Sequence, residues 1–509
     1  MIAPGRRRSG SAGIGEVPGV PSEIRLPFVA DIAAIVVIAI WFVAHFGAMR
    51  VRYLGPDEAF HVWIADARDL VDVYLGSKAT PHPPLFFLVL HLWMRLGRSE
   101  FFLRLLPSIF GAAFLWSVYR WSIRLFGRAA GLVTLLLAAI SPALLQLSTE
   151  VRGYSLLLFL LAAGLAQFES AVEADSPTRM AVSFLLLFLA ILTHYAALFV
   201  VLSLAVYAPF RLRKSRSSRR VILVWAAAQV GVALLYLFLY LSQVRTLKGS
   251  GQEQETMAGW LGSGYFRGDR ESVLSFLARQ SAGVFRYLFG SPALAVVAFL
   301  AVLMGVVLLA VKRRPSAFLV ALPLLFGATA GLLGAYPFVG SRHSLYVLPF
   351  VLAAIGVAFS AVAGGRLWVA LGASLVLVPF LWMTPAPAGP QSLVQMNDAM
   401  EQLRRRAPAE SLILTDFQTG TVLRYYFDRH GARNYRLVRS PMWSPDPRTF
   451  GDEVERMIRV HRLTAGQMFW VIRIGSEVDA SQDVLRKLPN ATALSTRSFG
   501  DLLILEVRL

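Results

Sequence analysis

The sequence predicts an all-α polytopic membrane domain of about eleven transmembrane helices, followed by a C-terminal α/β domain outside the membrane. Three observations predict it. The 509-residue chain is 56% hydrophobic and only 16% charged, with a mean hydropathy of +0.57, whereas a soluble domain carries about 25% charged residues. Several apolar windows reach the roughly 20 residues that cross a bilayer, and they lack the alternation of a transmembrane barrel. After TPAPAGP at 384–390, the composition turns polar for residues 391–509.

The elements follow in order. Residues 1–27 contain Arg6, Arg7 and Arg8 and are expected in the cytoplasm. The apolar run behind them is long and has no obvious cleavage site, so it reads as a first span, 28–48, rather than a removed signal peptide. PDEAFH, 56–61, then lies outside. PHPPLFFLVLHLWMRLG, 81–97, has only about a dozen apolar residues after its prolines, short for a crossing. Read as a helix on the outer surface, it lets span 102–119 deliver Arg120, Arg124 and Arg128 to the inside. The further spans are 129–147, 153–168, 180–193, 196–210, 221–241, 292–311, 316–335, 345–363 and 367–384, with a long outer loop at 242–291. Splitting the apolar run 180–210 at Thr193, His194 and Tyr195 keeps RLRKSRSSRR (211–220) inside, together with KRR (312–314) and Arg366. The net charge of +19 is thus a topology signal and not a nucleic-acid surface. Cysteine is absent, which excludes disulfides and thiolate sites.

The stretch 28–384 is expected to be the membrane domain, 385–390 a linker and 391–509 the outer domain. In the last, helices at 391–406, 419–429, 450–461 and 480–487 alternate with strands at 411–415, 434–439, 467–473, 492–497 and 501–507. No GxGxxG or P-loop supports a nucleotide site there.

This threading collects the unusual polar residues on the outer side. They are Asp57 and Glu58 in PDEAFH, His82 in PHPPL, Glu150, Arg152 and Tyr154 in SPALLQLSTEVRGYSL (141–156), His194 in THYAALF (193–199), Arg245 and Lys248 in the long loop, and Arg342 and His343 in YPFVGSRHSLYVLP (336–349). Ionisable groups at a membrane edge are costly and usually functional. Each also has a plainer explanation. Asp57 and Glu58 are either solvated loop residues or a catalytic pair. Glu150 either meets a substrate hydroxyl or pairs with Arg152. Arg152 and Arg342 suit a phosphate, because guanidinium forks match its oxygens, or a lipid headgroup. His82 and His194 either contact a ligand or pack at helix starts. Trp63, Trp93 and Trp260 either stack on sugar rings or mark the membrane interface.

DEAFH, then HPPL, RLLPSIFGA, a basic loop, SP…STEVRGYSL and THY together resemble the family-39-type glycosyltransferases of the GT-C fold, the group of the protein O-mannosyltransferases and the aminoarabinose transferase of lipid A. The resemblance covers about 28–350. It implies an enzyme of the bacterial inner membrane, with its active site and C-terminal domain extracytoplasmic. It implies transfer of a sugar from a polyprenyl phosphate to an acceptor hydroxyl on a glycan, lipid or protein, with inversion. Asp57 matches the first-loop catalytic acid, with Glu58 beside it, and Glu150 matches the second acid. Arg152, Arg342, His82, His194, Tyr154 and Lys248 are the candidate substrate-binding residues. His343 departs from the tyrosine that many relatives have. An acid at the apolar edge is expected to be desolvated, with its pKa raised toward working pH so that it acts as base. A divalent metal is known in some relatives, but no His-x-x-x-His spacing supports one here. Membrane lipid is a partner and nucleic acid is not. The rival readings are a lipid or glycan transporter and a noncatalytic envelope binding protein.

Overall fold

A computed structural model describes residues 22–247, 261–366, 392–429, 434–441, 450–475 and 484–509 apart from isolated positions, with side chains from Ala30 on. The membrane part begins with α1 (Ser22–Val51), α2 (Pro56–Ala65), α3 (Leu70–Ser77), α4 (Leu85–Met94) and α5 (Glu100–Phe126). It continues with α6 (Arg128–Ala139), α7 (Pro142–Leu147), α8 (Tyr154–Glu173), α9 (Pro177–Thr193), α10 (Ala197–Lys214) and α11 (Arg219–Leu239). Then follow α12 (Val273–Phe289), α13 (Pro292–Val311), α14 (Ser316–Leu332) and, after a 3₁₀ segment at Arg342–Val347, α15 (Leu348–Val362). Six of these helical stretches among the described residues are long and apolar enough to cross a membrane, and α4, α6, α9 and α14 are shorter apolar helices.

Burial sorts the helices. α8 packs between α5 and α9, and Leu103, Phe114, Leu158, Phe168 and Leu187 of these three are completely buried. α11 and α13 instead present Leu223, Val230, Leu234, Leu300, Leu303 and Val307 outward, an apolar surface suited to lipid. A Cβ at Gly305 would run into the Ala354 carbonyl, so the glycine is what lets α13 lie against α15.

The expected spans that fall on described residues appear as helices, with two differences. The stretch 129–147 is broken into α6 and α7, because Pro142 opens a new helix at its first turn and has no N–H to continue the old one. The outer loop 242–291 contains α12, which buries Phe276, Gln280, Val284, Phe285, Leu288 and Phe289 along one face. The expected last span, 367–384, and the linker fall outside the described residues. The division of 180–210 is seen directly: α9 ends at Thr193, and His194 takes an extended conformation before α10.

The C-terminal unit comprises α16 (Leu393–Arg406), β1 (Leu412–Thr415), α17 (Phe417–Arg429), β2 (Arg436–Arg439), α18 (Phe450–Val460), β3 (Met468–Ile474), β4 (Thr492–Phe499) and β5 (Leu502–Arg508). The sheet order is β2-β1-β3-β5-β4, parallel among the first three and antiparallel at β5 and β4. β1 is fully buried, as a parallel strand covered on both faces should be, whereas β4 is largely exposed. This unit grips the chain between α1 and α2. Arg52 bridges to Ser392, Tyr53 donates its hydroxyl hydrogen to Asp501 Oδ2 at 2.7 Å, and the Leu54 N–H donates to the Tyr426 hydroxyl at 3.0 Å.

Candidate active site

α2 is a short helix with Pro56 at its first position and two acids in its first turn, both favourable at a helix N-terminus. Consecutive residues on a helix point about 100° apart, and here that separates the two carboxylates. Asp57 turns toward two arginines from distant segments. One of its oxygens, Oδ2, receives Arg152 Nη1 at 2.6 Å and Arg342 Nη2 at 2.9 Å. Its side chain keeps 39% of its exposure. Arg152 comes from the loop 148–153 between α7 and α8, which is anchored by the Ser108 hydroxyl donating to the Ser148 carbonyl at 2.7 Å. Arg342 begins the 3₁₀ segment capped by Ser341. The preceding Gly340 lies so close to Gly283 of α12 that a Cβ there would collide with its backbone, which fixes where Arg342 enters.

This arrangement corrects the expected electrostatics. Burial does push the Asp57 carboxyl upward, but the Arg152 and Arg342 guanidinium groups outweigh it and hold the group well below the usual carboxylate range. In this state Asp57 is an ionised, weakly basic carboxylate.

Glu58 turns inward and is 3% exposed. Arg104 of α5 grips it bidentately, Nε to Oε1 at 3.0 Å and Nη2 to Oε2 at 2.8 Å. The Gly55 N–H and the Val151 N–H each donate to it at 3.0 Å. The remaining Arg104 donors reach the carbonyls of Met49, Arg52 and Tyr53. Burial raises the Glu58 carboxyl, and the Arg104 guanidinium more than reverses this. Glu58 thereby ties the first loop, α5 and the 148–153 loop together.

Glu150 does not pair with Arg152, whose guanidinium goes to Asp57. Instead Glu150 accepts from Gln146 Nε2 at 2.8 Å. Burial, reinforced by nearby Glu58, lifts its carboxyl above the usual range. Tyr154 lies under the Arg152 guanidinium, 5.2 Å from its carbon to the ring centre, and its buried hydroxyl has no partner among the described residues. Behind Asp57 runs a file of imidazoles, with ring centres 5.4 Å apart from His61 to His82, 6.0 Å from His82 to His194 and 6.5 Å from His194 to His343. Burial and then the Arg152 charge push His61 down to about 3 and His194 down to about 4, and His82 and His343 also lie well below 6.5. These rings are neutral at pH 7. Among the described residues, no three His, Asp or Glu side chains converge as a metal would require, and the file lies beside two guanidinium groups.

The structure thus brings together Asp57, Arg152, Arg342, Tyr154, His82 and His194, with His61 and His343. Lys248 lies outside the described residues. Arg245 forms a short helical turn at Arg245–Leu247 beyond α11. Trp93 stacks on Phe102 at 4.7 Å and donates to its carbonyl, a packing role. Sequence reasoning missed Arg104, although RLLPSIFGA lay in view, because nothing local ties an arginine on α5 to an acid 46 positions earlier. It also missed His61, the last letter of DEAFH.

The fold is that of the GT-C glycosyltransferases, a class of integral membrane proteins. Residues 81–241 match the family described as dolichyl-phosphate-mannose-protein mannosyltransferase. The structure is similar to that of ArnT from Cupriavidus metallidurans bound to undecaprenyl phosphate, with 15% identity, 93% of this chain and 97% of that one covered, and a TM-score of 0.55. It is similar, at 13% identity, to the oligosaccharyltransferase of Archaeoglobus fulgidus in complex with Zn and sulfate, over 86% of this chain and 68% of that one, with a TM-score of 0.51. No curated protein matches the sequence. At these identities the likeness establishes the fold, and it agrees with the GT-C resemblance read from the motifs.

Proposed function

We propose that this protein transfers a sugar from a polyprenyl phosphate to an acceptor hydroxyl at the extracytoplasmic face of a bacterial inner membrane. The observation that carries the reading is the single Asp57 oxygen shared by Arg152 and Arg342. A phosphate arriving there offers the two guanidinium groups a better-matched partner. As they turn to it, Asp57 loses the charges that depress it and becomes a stronger base. The acceptor O–H then passes its proton to Asp57, its oxygen bonds to the anomeric carbon, and the C–O bond to phosphate breaks with the electron pair leaving on phosphate. One displacement of this kind inverts the anomeric centre. The phosphate leaves without a proton donor because the arginines stabilise its charge. In this reading His82, His194 and Tyr154 hydrogen-bond the sugar hydroxyls, and Glu150, with its carboxyl raised by burial, holds a hydroxyl by donating or accepting.

The prenyl tail has a matching place. A trough of about 430 Å³ between α10 and α11 is lined by Leu198, Val201, Val232, Tyr236 and Tyr240. Beyond its outer end Gln243 donates to the carbonyls of Ser77, Thr80 and His82 at 2.8–3.0 Å, joining the end of α11 to the HPP turn beside the site.

The test is turnover of a panel of radiolabelled polyprenyl-phosphate sugars by the purified protein with crude envelope as acceptor, run with and without chelator. One donor is consumed, and Asp57→Asn lowers its turnover about 10²–10⁴-fold; the chelator arm reads whether a divalent cation is needed. Failure of every donor, with donor binding unaffected by the substitution, sinks the transfer reading in favour of a carrier or binding protein.

A further inference from the structure

α2 has a second face. Asp57, His61 and Ile64 lie along one side of the helix, whereas Ala59, Val62, Trp63 and Asp66 repeat at the three- and four-residue spacing of the opposite side. That second stripe forms one wall of a cleft of about 370 Å³, within the size range of ligand pockets. The other wall is α17 of the C-terminal unit, with Thr421, Arg424, Tyr425, Asp428 and Arg429, and the floor is the turn between α4 and α5, with Met94 and Arg98.

The walls are joined around the cleft rather than across it. The Tyr425 hydroxyl donates to the Arg98 carbonyl at 2.8 Å, and Arg429 pairs with the buried Glu100. Arg98 pairs with Asp66 at 2.7 Å. Two of the three lining arginines therefore already hold carboxylates. Arg424 is exposed and makes no ion pair or hydrogen bond among the described residues. The half-buried Trp63 borders the same cleft, and its indole N–H likewise has no partner there.

We propose that this cleft is a binding subsite for an anionic carbohydrate, a sugar carrying a carboxylate or phosphate, separate from the transfer site on the other face of α2. The aromatic rings of Trp63 and Tyr425 offer flat apolar surface to the C–H face of a sugar ring. Arg424 supplies the unspent positive charge for the anion, and Asp66, Thr421 and the Trp63 N–H supply hydroxyl partners. The subsite needs both the membrane part and the C-terminal unit, so it gives that unit a task in holding the remote part of an acceptor. This last step rests on the transfer reading; the binding itself does not.

The experiment is calorimetric titration of the full-length protein in detergent, without donor, using trigalacturonate, a short oligosaccharide carrying phosphate, and neutral maltotriose. Saturable binding of a charged probe is expected, preferred at least tenfold over maltotriose and weakened at least tenfold by Arg424→Ala. Trp63→Leu, checked for an unchanged melting curve, should weaken it similarly. The carboxylate and phosphate probes distinguish the two sources of charge. No saturable binding, binding indifferent to Arg424→Ala, or equal binding of maltotriose overturns the proposal. Lost glycan binding with intact donor turnover removes this subsite alone, and absent turnover with intact glycan binding removes the transfer reading alone.

Discussion

Asp57 and Glu58 share a helix turn and a charge, and the protein treats them in opposite ways. Glu58 has 4% of its side chain exposed, and its two oxygens are matched by a bidentate arginine and two backbone N–H groups. Asp57 has 39% exposed, and one oxygen serves two arginines that approach from different loops. A buried charge is tolerable only when its hydrogen bonds are complete, and completeness makes Glu58 a fixture. Asp57 remains within reach of solvent, and its arginines can exchange it for another anion. The first site holds the loop in place, and the second leaves its groups free to react.

The largest effect should come from breaking the fixture. Glu58→Ala or Arg104→Ala strands a buried charge and should lower stability by about 3–5 kcal/mol, read as a fall in the melting temperature of the purified protein. The double substitution should cost far less than the sum, because each single change already breaks the pair. Additive losses would dissolve the contrast with Asp57.

Next comes Asp57→Asn. Sugar transfer should drop about 10²–10⁴-fold, the usual worth of a general base, while the melting temperature stays near that of the unaltered protein. Polyprenyl phosphate should bind at least as tightly, since Arg152 and Arg342 are released. Weaker phosphate binding in this variant would mean that Asp57 assists the phosphate rather than competing with it.

Arg342→Ala should act more mildly. It removes one charged hydrogen bond, worth about 1.5–3 kcal/mol, and should raise the KM for donor roughly tenfold or more. An unchanged KM with a reduced kcat would place Arg342 on the transition state instead.

A further effect is in pH. His61 and His194 titrate near 3 and 4 in the fold and near 6.5 when unfolded. Between those values the unfolded chain binds more protons, so stability rises with pH. Their contribution is complete above 6.5 and is lost as pH falls toward 3–4, at about 1.4 kcal/mol per pH unit for each ring. Melting curves from pH 8 to pH 5 should therefore shift downward, and His61→Asn should flatten the slope. An unchanged slope in the variant would show that His61 is not the neutral buried ring described.

Much of the architecture was readable from local signals. Apolar length marked the helices, and the Thr193-His194-Tyr195 interruption marked the boundary between α9 and α10 because polar groups break an apolar run. Period and turn residues placed the strands of the C-terminal unit within a few positions of where they lie. Pro142 can kink or end a span near its outer end, and here the first helix ends before it and a separate short helix, α7, begins at it. α12 was hidden because its apolar stripe, Phe276, Val284 and Leu288, alternates with an exposed face carrying Arg279 and Arg286, so the loop reads as polar.

The sequence by itself determined the membrane class, the order of the helices, the α/β nature of the last part and the short list of acids, arginines and histidines at one edge. Those follow from hydropathy, periodicity and motif, which are properties of neighbouring residues. Only the tertiary structure decided which acid meets which arginine, that Glu58 is consumed by Arg104, that Asp57 rests as a depressed carboxylate and that the C-terminal unit clasps the first loop through Tyr53 and Tyr426. Charge interactions depend on distance and burial, and both are set by contacts between segments far apart in the chain.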